Sequence, residues 1–148
     1  MHIAKFVAIV LTALALVPGG AHLFALPNKI TLADEPYFIV QSIYRGWALF
    51  GVVLFAAIAA NGLLALMQYR RRERWGYAAG ATMAILATLA IFFTWTFPAN
   101  QATANWTQIP SGWESLRLQW EYSHAVNAVV TFFALCLSTL AAMAPERR

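Results

Sequence analysis

Glu121 and His124 stand three residues apart in the run Trp120-Glu121-Tyr122-Ser123-His124, at the head of a helix-length apolar segment. On a helix this spacing puts a carboxylate and an imidazole on one face. A second imidazole, His22, stands near the end of another apolar segment. Ionisable side chains are costly at membrane depth and usually mark a pathway, a site or a buried pair. A carboxylate and an imidazole can act as general base and proton relay. Glu121, His124 and His22 are therefore the candidate catalytic residues.

The elements that must carry them are apolar throughout. Of the 148 residues, 61% are hydrophobic and only 11% charged, against about 25% charged in a soluble domain. Mean hydropathy is +0.61, and no repeat divides the chain, so residues 1–148 read as a single transmembrane domain. Four segments have the roughly 20 apolar residues a span needs: about 3–25, 43–67, 77–97 and 120–143. In lipid each must be a helix. The expected fold is all-α, an integral membrane antiparallel four-helix bundle.

The formal charge of +4 is concentrated in Arg70, Arg71, Arg72 and Arg74, between the second and third spans, and in Arg147 and Arg148. Basic residues flanking apolar segments point to membrane spans and against nucleic acid. Arginine-rich short loops stay cytoplasmic, so both termini are expected inside and loops 26–42 and 98–119 outside. The expected location is a bacterial inner (plasma) membrane, with lipid as partner. A rival topology treats residues 1–21 as a cleaved secretory signal ending at Gly19-Gly20-Ala21. Apolar character resumes at Leu23-Phe24-Ala25-Leu26, which favours retention. Cys136 is the only cysteine, so no intramolecular disulfide forms.

With that orientation, His22 and His124 each lie ~6 Å inside the outer ends of their spans, at the helical rise. Arg45 opens span two just above them, and Thr94, Thr96 and Asn100 close span three in the same zone. Trp113, Arg117, Glu121, His124, Asn127 or Ala128, and Thr131 follow steps of three and four and share one face. Ala125, Val129, Phe132, Phe133 and Cys136 occupy the other. The polar face should turn inward.

Three readings of this layer compete. It could lock the helices, with Arg117 or Arg45 paired to Glu121 and the histidines bonded to neighbouring helices. It could line a pocket that binds or transforms a small hydrophobic molecule. Or His22, Glu121 and His124 could hold a metal or haem, since Glu-x-x-His is a di-iron spacing in bundles. No metal or cofactor is assigned. Gly-rich phosphate loops, Cys-x-x-Cys, Gly-x-Ser-x-Gly and His-Glu-x-x-His are all missing from the sequence. Pro18-Gly19-Gly20 suggests a kink or a close-packing site in span one. Gly46, Gly51 and Ala56–Ala57 suggest helix contacts on span two.

Phe97-Pro98-Ala99-Asn100, then Asn105-Trp106, Trp113, Leu116-Arg117, Trp120 and His124 resemble the anthrone-oxygenase-like family of small four-helix membrane proteins. The similarity covers the C-terminal third; the first two spans match mainly in hydrophobicity and in His22 near Pro27-Asn28. The resemblance implies oxygenation of polycyclic anthrones without a conventional cofactor, and carries over to His124, Asn100 and Arg117. Fold transfers better than activity.

The expected working part is thus an outer-leaflet cavity lined by His22, Arg45, Asn100, Arg117, Glu121 and His124. Arg45, Asn100, Asn105, Trp113, Arg117 and Trp120 are the candidate binding residues, and the expected function is binding or oxidative conversion of a small hydrophobic compound. The alternative is a non-catalytic accessory protein, alone as a homo-oligomer or with a membrane-complex partner.

Overall fold

The computed structural model describes residues 1–144. It has six α-helices: α1 (His2–Lys29), α2 (Asp34–Gln41), α3 (Phe50–Arg70), α4 (Gly76–Ile91), α5 (Phe97–Ala102) and α6 (Trp113–Met143). A π-helical turn, Phe92–Thr96, joins α4 to α5, so the third span runs unbroken from Gly76 to Ala102. Four helical stretches are long and apolar enough to cross a membrane, and the chain is an all-α, multi-pass membrane protein. The C-terminal Pro145-Glu146-Arg147-Arg148, used above to orient the fourth span, lies outside the described residues.

Each span packs on two others, in the order α1, α3, α4, α6 and back to α1. The registers are antiparallel throughout. Ala8 clusters with Ala141 while Gly19 meets Ala128, and Leu64 clusters with Ala78 while Ala57 clusters with Ile85. The interior is built from small side chains: Ala8, Ala57, Ala78, Ala81, Ala134 and Ala141 are buried. The large apolar ones, among them Phe6, Phe24, Phe55, Phe132 and Phe133, face outward. This inside-out pattern suits lipid, where small residues let helices approach and nothing drives Phe into the core. Polar bonds stitch the interior. Asn61 Nδ2 on α3 donates to Thr12 Oγ1 on α1 at 2.9 Å, and Gln68 Nε2 donates to the Ala141 carbonyl of α6 at 2.9 Å.

Helix boundaries depart from the sequence expectation at one end of the bundle. α1 continues through Pro18 and Pro27 to Lys29, because proline's φ is already helical and proline is tolerated within membrane helices. The second span begins at Trp47, not at residue 43. Before it come 3₁₀ turns at Ser42–Tyr44 and Trp47–Leu49, separated by Gly46 at φ +88°. The fourth span begins at Trp113 instead of residue 120. These extensions, with α2 and residues 97–112, cap that end of the bundle with buried Tyr37, Trp106, Trp113 and Trp120.

Gly19 is a close-packing position: a Cβ there would lie 3.2 Å from Ala128 Cα and 3.3 Å from its nitrogen. Backbone yields poorly, so Gly19→Ala should cost about 1–3 kcal/mol. At Gly80 the added Cβ would meet only Leu137 Cδ1, at 3.2 Å. That methyl can move, and the gain in helix propensity offsets the strain, so Gly80→Ala should be near neutral. Thermal midpoints of the two variants in detergent check the contrast. Of the other expected contact positions, Ala57 is buried, but Gly46 and Gly51 meet nothing within 4 Å.

Candidate functional site

The capped end holds two adjoining clusters. The first is ionic. Lys29, at the last turn of α1, places Nζ 2.9 Å from Glu121 Oε1, with both side chains almost wholly buried. Tyr37, from α2, donates its hydroxyl to the same oxygen at 2.9 Å and accepts from Gln41 Nε2 at 2.6 Å. Burial first, then the Glu121 charge, pushes the Tyr37 phenol above its usual range, so it remains a donor. Lys29 Nζ also lies 4.7 Å from the centre of the Tyr44 ring and 5.1 Å from that of Trp120. The aromatic faces supply attraction that lost water no longer gives.

The second cluster is imidazole. His22 and His124 bring their ring centres to 4.2 Å, tilted by 35°. Trp120 stands edge-on to both, at 4.7 Å from His22 and 4.3 Å from His124, and the Tyr44 ring lies 4.2 Å from that of His22. Buried His22 Nδ1 has no hydrogen-bond partner among the described residues.

His124 also opens onto a cleft of about 380 Å³, lined by all four spans. Its walls are apolar and aromatic, with Trp47, Phe50, Leu54, Phe55, Phe92 and Phe93 opposite His124, Asn127 and Thr131. The buried Asn127 Oδ1 lacks a partner among the described residues. Phe55 and Phe93 are exposed, which gives the cleft a side toward lipid between α3 and the π-helical turn. Ligand pockets are typically of this size, apolar with few polar groups. A larger groove along Trp95, Leu118, Tyr122 and Val126 faces outward, where acyl chains would fill it.

The polar face expected on the fourth span is turned inward, with Trp113, Trp120, Glu121, Ala128 and Thr131 buried and Val129, Phe132, Phe133 and Cys136 exposed. The partner expected for Glu121 requires correction. Arg117 instead donates Nη1 to the Leu32 carbonyl at 2.6 Å and stacks on Trp113 at 4.6 Å. Arg45 is exposed, between the two 3₁₀ turns. The ammonium of Lys29 takes the place given to arginine. Sequence reasoning missed it by ending span one before Pro27; a helix carried through that proline would have put Lys29 seven residues, two turns, beyond His22 toward the capped end.

Asn100 anchors the cap: its Oδ1 accepts from Trp106 Nε1 at 3.1 Å and Trp120 Nε1 at 2.8 Å. Asn105 is exposed and contributes its backbone, donating to the Asn100 carbonyl at 2.7 Å. Ala104, Asn105 and Trp106 are all left-handed, at φ +48°, +56° and +64°. This strained turn folds the Trp106 indole back onto Asn100. Asn100→Leu should leave two buried indole N–H groups unpaired, costing about 1–3 kcal/mol each. A lowered unfolding midpoint with shifted tryptophan emission is the expected reading.

Of the expected cavity-lining residues, only His124 reaches the cleft. Glu121, His22, Arg117 and Asn100 pack beside or above it, and Arg45 lies apart. Ser123 meets Thr96 of the π-helical turn at 2.7 Å, pointing away from the imidazoles. No group of three or more His, Cys, Asp or Glu placed to hold a metal ion occurs among the described residues. The two imidazole rings are themselves in contact.

Compared with family models, curated proteins and solved structures, the chain matches none. The anthrone-oxygenase-like resemblance therefore rests on its own residues.

Proposed function

We propose that this protein draws a small hydrophobic compound from the outer leaflet of a bacterial inner membrane into its cleft and oxidises it there, with both termini in the cytoplasm. The observation that carries the reading is the position of His124, in contact with a second imidazole and at the wall of an aromatic cleft. A neutral imidazole is a competent base for an acidic C–H or phenol, and the apolar walls exclude competing water.

In the conversion that the family resemblance suggests, His124 takes a proton from an acidic CH₂ group and His22 shares it. The carbanion gives its electron pair to dioxygen, forming a C–O bond. The resulting hydroperoxide regains the proton and loses water, leaving a ketone; one oxygen atom stays and the other departs as water. Glu121 holds the scaffold, because one of its oxygens is already engaged by Lys29 and Tyr37. Asn127 Oδ1 offers a free acceptor to a hydroxyl of the guest.

The test is oxygen uptake by the purified full chain with anthrone in detergent micelles. One oxygen consumed per ketone formed, at a rate above heat-denatured protein, is expected. A rate equal to that control would overturn the oxidative reading. The second reading, an accessory protein whose polar groups only hold its own helices or a partner's, is favoured by the Lys29–Glu121 pair and the Asn100 anchor. It assigns no work to the cleft.

A further inference from the structure

The turn between α3 and α4 sets four like charges side by side. Arg72 N–H donates to the Tyr69 carbonyl and Glu73 N–H to the Gln68 carbonyl, each at 2.9 Å. This is the Schellman closure of a helix, and it forces the residue after the cap into the left-handed region, where glycine is preferred. Here that residue is Arg72, at φ +55°. The closure also turns Glu73 inward, leaving it 8% exposed, while Arg70, Arg71, Arg72 and Arg74 all face out. Among the described residues, none of the four guanidinium groups has a carboxylate within ion-pair distance.

The flanks of the turn fix its level relative to a bilayer. Tyr69 and Trp75 meet edge to face with ring centres 5.7 Å apart, and both are exposed. Amphipathic rings at the end of a span favour the headgroup region. Four guanidinium groups with no acidic partner among the described residues are thus held where lipid phosphates lie, and guanidinium recognises phosphate by paired hydrogen bonds.

We infer that the Arg70–Arg74 turn is a docking surface for the headgroups of anionic phospholipids. It stands at the end of the bundle opposite the cleft and is independent of the chemistry proposed there. An arginine in a position that suits glycine trades local backbone strain for charge.

Lipid retained by the purified full chain from mixed micelles of equal phosphatidylglycerol and phosphatidylcholine tests this. Wild type should retain phosphatidylglycerol in excess. Arg72→Gly relieves the left-handed strain, so it should stay folded by circular dichroism yet bind phosphatidylglycerol about five-fold more weakly. The fourfold variant Arg70→Gln, Arg71→Gln, Arg72→Gln and Arg74→Gln should lose the preference. Equal retention of both lipids by wild type, or unchanged binding by folded Arg72→Gly, would overturn the inference. So would displacement of the lipid by inorganic phosphate beyond that by chloride at matched ionic strength, which would mark a free-anion site.

Discussion

His124→Ala is expected to leave the four-helix bundle folded and to lower the rate of ketone formation by about 10²–10⁴-fold, the usual contribution of a positioned base. The fold should survive because His124 makes ring contacts with Trp120 and His22 but, among the described residues, no side-chain hydrogen bond between helices. His124→Gln fills nearly the same volume and should be equally inactive, which separates lost proton transfer from lost packing. His22→Gln should be impaired less if it only shares the proton. Rates with anthrone and helical content by circular dichroism, measured on the same preparations, check all three. Loss of folded protein in step with loss of activity would point instead to a structural layer.

Glu121→Gln is expected to act in the opposite sense, on stability first. The substitution leaves the Lys29 ammonium buried without its counter-charge, and breaking such a pair typically costs about 3–5 kcal/mol. Removing both charges together, as Lys29→Met with Glu121→Leu, should recover most of that loss, because hydrophobic replacement of a whole buried pair is often neutral or better. Unfolding in graded denaturing detergent would measure both. If Glu121 only positions the helices, the double variant should also regain activity once folded; a folded but inactive double variant would make the carboxylate part of the chemistry.

The fold was largely legible in the sequence because lipid leaves a chain few choices: apolar segments of span length must become helices. The inward turn of the Glu121 face followed from spacing alone, as did the meeting of His22 and His124, read from depth. What spacing could not supply was pairing across the cap. Lys29 looked like a loop residue and Arg45 like the opening of span two. Which of them reaches Glu121 depends on α1 continuing through Pro27 and on a left-handed Gly46, both decided by tertiary contacts. Tyr37 and Gln41 lie in a connection with no hydrophobic periodicity long enough to place them. Asn100, Trp106 and Trp113 were visible as a pattern, and in the structure they pack and bond in the cap. The residues that carry the family resemblance mainly build the cap, and His124 alone among them faces the cleft.

Histidine-selective nitrogen NMR tests the central claim most directly, since the chain has three histidines and one, His2, is exposed at the far end of α1. Titrating the full chain with anthrone under nitrogen, so that no oxidation proceeds, should shift the His124 ring signals strongly and those of His22 less, while His2 stays in place. Both effects should saturate together. Signals of His124 and His22 that do not move, or that move only as much as His2, would show that no guest sits beside the imidazole pair and would contradict the account.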